Sequence, residues 1–191
     1  MKIKLDEIMR PDNYCAIDAS TNSLAFAMFE KGELITYGKI RFTGRNIYEK
    51  LGDASRKTKA FFDKLPTDNI VIEHTIYMNS PKTVSDLALV QGALLGAAAQ
   101  AGVRLAGSIN PIAWQTYIGN GKLTTEEKKA IRDANPDKSA SWYKTHERDA
   151  RKQKTIRFVN VQYDLEVDDH DIADAIGIGH YAFHNWGKVD K

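Results

Sequence analysis

The chain has 191 residues, 42% hydrophobic and 27% charged, the balance of a soluble globular domain and not of a disordered or membrane-spanning chain. Lysine plus arginine total 27 against 25 for aspartate plus glutamate, so net charge alone names no polyanionic partner. The opening MKIKLDEIMRPDN has no apolar run of the kind a secretory signal needs, and the lone Cys15 has no internal disulfide partner, so a single cytoplasmic domain over 1–191 is expected, with Cys15 as a small buried side chain.

Taken in chain order, residues 14–18 (YCAID) form a short apolar run ending in an acid, followed by 24–29 (LAFAMF), the turn Lys31-Gly32-Glu33, and 34–42 (LITYGKIRF). This pattern predicts three consecutive antiparallel strands, with Gly32 in the second turn. Between 45 and 65, Ile47, Leu51, Ala54, Thr58, Phe61, Phe62 and Leu65 recur at helical spacing before Pro66. Residues 69–73 (NIVIE) read as a buried strand that again ends in an acid. Ser80-Pro81 opens an Ala/Leu/Gly-rich helix to about 102, and a strand is expected over 103–107.

Pro111 starts a short helix through Trp114 and Tyr117, the turn Gly119-Asn120-Gly121-Lys122 follows, and a helix is expected over about 124–134. After a linker at 134–141, a basic helix is expected to about 154, and 156–163, which also alternates as a strand would, is read as a further helix. The last helix begins near Asp168 or Asp169, with Ile172, Ala175, Ile176, Gly179, Ala182 and Phe183 on one face. The order βββ-α-β-α-β followed by helices predicts an α/β fold, a mixed sheet with helices on its faces.

Charge is unevenly spread. Residues 138–157 carry seven basic side chains against Glu147 and Asp149, whereas 163–174 carries six carboxylates and no lysine or arginine. Such a neighbourhood suits a surface that grips phosphates beside one that holds cations. Asp18 and Glu73 end strands, and Asp171 and Asp174, three residues apart, share one face at the start of the last helix. Four carboxylates converging at the sheet's end would repel one another unless cations lay between them. Oxygen-only donors favour magnesium or manganese, and two such ions about 3.5–4 Å apart would support phosphodiester hydrolysis. Singly, Asp18 reads more simply as a turn residue, Glu73 as a strand-end acid, and Asp171 with Asp174 as a complement to the helix dipole.

The run A-I-D-A-S at 16–20, I-E-H at 72–74, P-I-A-W at 111–114 with G-N-G-K at 119–122, and D-I-A-D-A-I at 171–176 resembles the RuvC-type Holliday junction resolvases, bacterial and phage. The resemblance implies a ribonuclease H-like five-stranded sheet and a crossover junction endodeoxyribonuclease. It implies that Asp18, Glu73, Asp171 and Asp174 bind two Mg2+ ions, with Mn2+ able to substitute, and that the protein is a homodimer acting in a bacterial cell or phage-infected host. His170 is a candidate further ligand or proton shuttle, and His74 is expected to be a packed histidine on the opposite side of its strand.

For DNA contact, Tyr77 corresponds to the aromatic that intrudes at the exchange point in that family, with Ile76 the alternative. Lys122, Lys128 and Lys129, and the stretch holding Lys144, Arg148, Arg151 and Lys152, are candidate phosphate contacts. The chain departs from the pattern in a basic helical insertion at about 134–155 and in Ala19-Ser20-Thr21-Asn22, which stands where a Gly-rich turn is usual. Gly92, Gly96 and Ala99 lie along one face of the helix after Ser80, a candidate dimer surface. Rival readings keep the fold but cut other branched DNA or RNA–DNA hybrids, or bind junctions without cutting. An actin-like ATPase also starts with a strand ending in aspartate, but needs a second half that 191 residues do not hold.

Overall fold

The computed structural model describes residues 10–75 and 80–190. Strands β1 (Asn13–Ala19), β2 (Ser23–Glu30) and β3 (Glu33–Arg41) form an antiparallel meander. Lys31 and Gly32, both at positive φ, make the tight second turn, and the Phe183 ring packs where a Gly32 Cβ would stand. Strands β4 (Asn69–Glu73) and β5 (Arg104–Ile109) then add in parallel, giving the mixed sheet order β3-β2-β1-β4-β5.

Helices α1 (Ile47–Phe62) and α2 (Pro81–Gln100) cover one face of this sheet. The other face carries α3 (Pro111–Tyr117), α5 (Ala140–Tyr163) and α6 (His170–His184), while α4 (Thr125–Ala134) packs on α5. The expected strands and helices are therefore present. The basic helix expected to about 154 and the helix expected over 156–163 are one continuous 24-residue element. Its basic residues run from Lys144 to Arg157, and its buried residues, Thr155 and Val159, lie in the second half.

Strand alternation divides the core into two layers. Cys15, Ile17, Ile70 and Ile72 face α1 and α2, whereas Tyr14, Ala16, Ala25, Ala27 and Val71 face α6. Cys15 is buried as expected. His74 is not the packed histidine expected, because β4 ends at Glu73 and the next residue is already exposed. No helix among the described residues is long and apolar enough to cross a membrane.

Candidate active site

The two-residue period of a strand decides which acids can meet. Asp18 follows Tyr14 and Ala16 on the α6 side of β1, and Glu73 follows Val71 on the same side of β4. Parallel pairing sets Ile17 opposite Ile72, so one residue further Asp18 and Glu73 stand side by side at the strands' carboxyl ends. In the other direction Asp18 pairs with Ala25, which pairs with Lys39. One row across the sheet thus reads Lys39, Ala25, Asp18, Glu73, with only a methyl group between the lysine and the first acid.

Helix α6 brings the remaining acids to this row. Its N-cap, Asp169, accepts from the backbone N–H of Asp171 at 2.9 Å and of Ile172 at 3.3 Å. The approach to that cap is held by Asn160 of α5, whose side chain donates to Val167 O at 3.0 Å and accepts from Val167 N at 2.9 Å. Asp171 then projects from the first turn, where the helix dipole favours negative charge, and Asp174 follows three residues later.

Burial raises the Asp18 carboxyl well above the ordinary aspartate range, the charges of Glu73, Asp174 and Asp171 add to this, and Lys39 opposes it. Asp174 is pushed up to about 7, first by burial, then by Glu73 and Asp171, against a hydrogen bond from Thr155 and the charge of Lys152. Glu73 is raised by burial, partly offset by the hydrogen bond it accepts from Trp114 Nε1 at 2.8 Å. Four acids named from the sequence are therefore brought to one edge of the sheet, and three of them are held in surroundings that disfavour their charge. Such an oxygen-only set fits a hard divalent cation, which would relieve the repulsion.

Two groups at this edge were not singled out from the sequence. Lys39 lies 2.9 Å from Asp169 and also pairs with Asp171. Among the described residues, the three ligand atoms that close to within 4.8 Å of one another belong to Asp169, His170 and Asp171. His170 Nε2 is 3.0 Å from Asp171 Oδ1 and 2.6 Å from Lys152 Nζ, so the histidine is at the edge of the cluster. No sequence signal marks Lys39, because its role depends on which β2 residue it faces.

A second tier of side chains holds the acids in place. Trp114 is buried to 1% exposure and reaches Glu73 because Gly177 of α6 leaves room for its ring, which would lie 2.9 Å from a Cβ there. Thr155, which hydrogen-bonds Asp174, also accepts from Asn120 Nδ2 at 2.7 Å. The P-I-A-W and G-N-G-K motifs thus supply supports for Glu73 and Asp174. Gln91 Nε2 of α2 donates to Glu73 O at 2.9 Å and holds the end of β4.

Solved structures share this architecture. RuvC of Thermus thermophilus in complex with a Holliday junction substrate matches with a TM-score of 0.66, over 94% of this chain and 99% of that one. The fold is that of RuvC. A further Thermus thermophilus RuvC structure gives a TM-score of 0.62 over 93% of this chain and 98% of that one. The yeast mitochondrial Holliday junction resolvase Ydc2 gives 0.52 over 95% and 82%. Each is 14% identical to this chain, so the RuvC-like likeness is one of fold. No protein-family model matches the sequence, and no curated protein matches it.

The candidate DNA contacts fall into several places. Lys122, Lys128, Lys144, Arg148 and Arg151 line one groove between α4 and α5, together with Leu123 and Glu147. Arg151 is partly committed within the protein, donating to Gln115 Oε1 at 2.7 Å. Lys152 lies one residue further on, against His170. Lys129 is exposed on α4, apart from the groove's lining residues. Tyr77 and Ile76 lie outside the described residues.

Proposed function

We propose that this protein is a divalent-cation-dependent endonuclease that resolves four-way DNA junctions by paired, symmetric hydrolysis of phosphodiester bonds, leaving 5′-phosphate and 3′-hydroxyl ends. The observation that carries this reading is the convergence of Asp18, Glu73, Asp171 and Asp174 at the carboxyl edge of β1 and β4. It occurs in a fold whose solved examples include one bound to a Holliday junction.

In this reading the four acids hold Mg2+, or Mn2+ in its place. Bound there, the metal supplies Lewis-acid activation of water and stabilises the departing oxygen. Trp114 and Thr155 keep Glu73 and Asp174 oriented, as second-tier donors do at metal sites. Lys152 and His170 stand at the rim, where the scissile phosphate approaches.

The groove between α4 and α5 takes the phosphate backbone of one arm. Its five cations surround one acid, Glu147, and the helix that carries three of them, α5, runs directly to Thr155 beside Asp174. The groove-lining part of α5 is thus an arm-binding addition to a single nuclease domain. Exposed Gly92 and Gly96, beside which a Cβ would meet nothing within 4 Å, leave a flat face on α2 for a second copy, and a two-fold dimer matches the two-fold cutting.

The test is cleavage of labelled four-way junction, flap, linear duplex and RNA–DNA hybrid in Mg2+ or chelator. Paired nicks confined to the junction support the proposal. Preference for flap or hybrid replaces the substrate but retains the acids, and binding of junctions without cutting of any substrate identifies a binding module.

A further inference from the structure

The five carboxylates at the sheet's edge are not equivalent. Among the neighbouring charges, Glu73 acts most on Asp18 and Asp174, and Asp171 acts less on both. Asp171 and Asp169 are instead joined by one ammonium group. Lys39 Nζ contacts both oxygens of Asp169, at 2.9 and 3.1 Å, and pairs with Asp171 Oδ2. The other Asp171 oxygen faces His170 Nε2 at 3.0 Å. Both oxygens of Asp171 are therefore engaged by cationic or imidazole partners, while its charge still reaches Asp18 and Asp174.

Lys39 reaches this position by design of the sheet. It projects from β3 toward α6 across Ala25, whose small side chain leaves the path clear. Its side chain is 17% exposed and that of Asp171 21%, so the pair is shielded from solvent more than a surface ion pair. A divalent ion sharing Asp171 would lie next to the ammonium and be repelled by it.

We propose that Lys39 is a positioning residue that takes the place of one of the two cations. In the DNA-free protein the Asp18–Glu73–Asp174 side binds a single divalent ion, and the Asp171–Asp169 side is already neutralised by the lysine. This rests on the metal-dependent nuclease reading above and replaces its expected two ions by one in the absence of DNA.

Titrating the full chain with Mn2+ and counting free ion by electron paramagnetic resonance tests this without DNA. The wild type is expected to bind one ion, and Lys39→Arg likewise. Lys39→Met is expected to take up a second ion with affinity raised about tenfold or more, since the repelling charge is gone. Asp174→Asn should weaken the single ion more than Asp171→Asn does.

Two ions bound by the wild type in the same concentration range, or superimposable wild-type and Lys39→Met curves, overturns the proposal. Equal loss in Asp171→Asn and Asp174→Asn also overturns it, and needs no Lys39 variant to fold. Single-ion binding in a protein that cuts no junction removes only the nuclease reading, and two-ion binding in a protein that does cut removes only this one.

Discussion

Trp114 donates its indole N–H to Glu73 Oε1 at 2.8 Å, and at 1% exposure that donor has no access to bulk water. The pair explains why a tryptophan stands in a seven-residue helix at the end of β5. One side of the ring fills the space above Gly177, and its polar edge fixes a carboxylate that would otherwise turn. Trp114→Phe keeps most of the volume and removes the donor. Mn2+ affinity and junction cleavage are expected to fall about 10- to 100-fold, as for other lost second-tier partners. Parallel Mn2+ titration and single-turnover cleavage check this, and unchanged values for both would remove Trp114 from the site.

Asp18 pairs with Ala25 across β1–β2 and is surrounded by Glu73, Asp174 and Asp171. Asp18→Asn removes one charge from a mutually repelling group. Thermal unfolding in chelator should therefore occur at the same temperature or higher than in the wild type, while metal-dependent cleavage is abolished. A marked fall in unfolding temperature would mean that Asp18 supports the fold and not the chemistry.

The raised carboxyl of Asp174, at about 7 in the folded protein against 3.8 ordinarily, has a defined consequence for stability. Between those two values the folded protein holds a proton that the unfolded chain has released, so stability falls as pH rises through that window. Metal-free protein is expected to be more stable to urea at pH 5 than at pH 8. Asp174→Asn should flatten the dependence, and added Mn2+ should reverse it, because the ion binds the deprotonated form. Urea midpoints in chelator and in Mn2+ decide the point.

Thr155 connects Asn120 to Asp174 while fully buried. Thr155→Val leaves the Asn120 amide without its acceptor, at a cost of about 1–3 kcal/mol, and Thr155→Ser restores it. Chemical denaturation of both variants should show that difference. Mn2+ affinity should fall with valine and recover with serine, since Asp174 loses and regains its donor.

Lys144 and Arg148 line the groove between α4 and α5. Replacing both with alanine should weaken junction binding and lower its log–log salt slope by about 2, at roughly 0.9 per phosphate contact. Cleavage of junction already bound should persist. Binding isotherms across salt concentrations measure the first effect, and saturating single-turnover rates the second.

Most of the fold was legible in the linear chain. The alternation of β1 and β4, the Lys31-Gly32 turn, the Ser80-Pro81 helix start and the stripe on α6 are local signals whose physical cause lies within a few residues. The four acids were legible for the same reason, because each ends a strand or opens a helix. The continuity of α5 was less so, since 156–163 alternates as a strand would, and its helical state follows from packing Thr155 and Val159 under α6.

The linear chain therefore carried the order of elements, the strand-end positions of Asp18 and Glu73, and the shared face of Asp171 and Asp174. Only the tertiary structure decided their partners. Lys39 lies 130 positions before Asp169, Trp114 lies 41 after Glu73, and Asn120 lies 35 before Thr155. Contacts at such separations depend on sheet register and helix placement, which no local pattern encodes. That is why a basic residue on β3 reads as an ordinary strand lysine until β2 is seen to place only Ala25 between it and the acids.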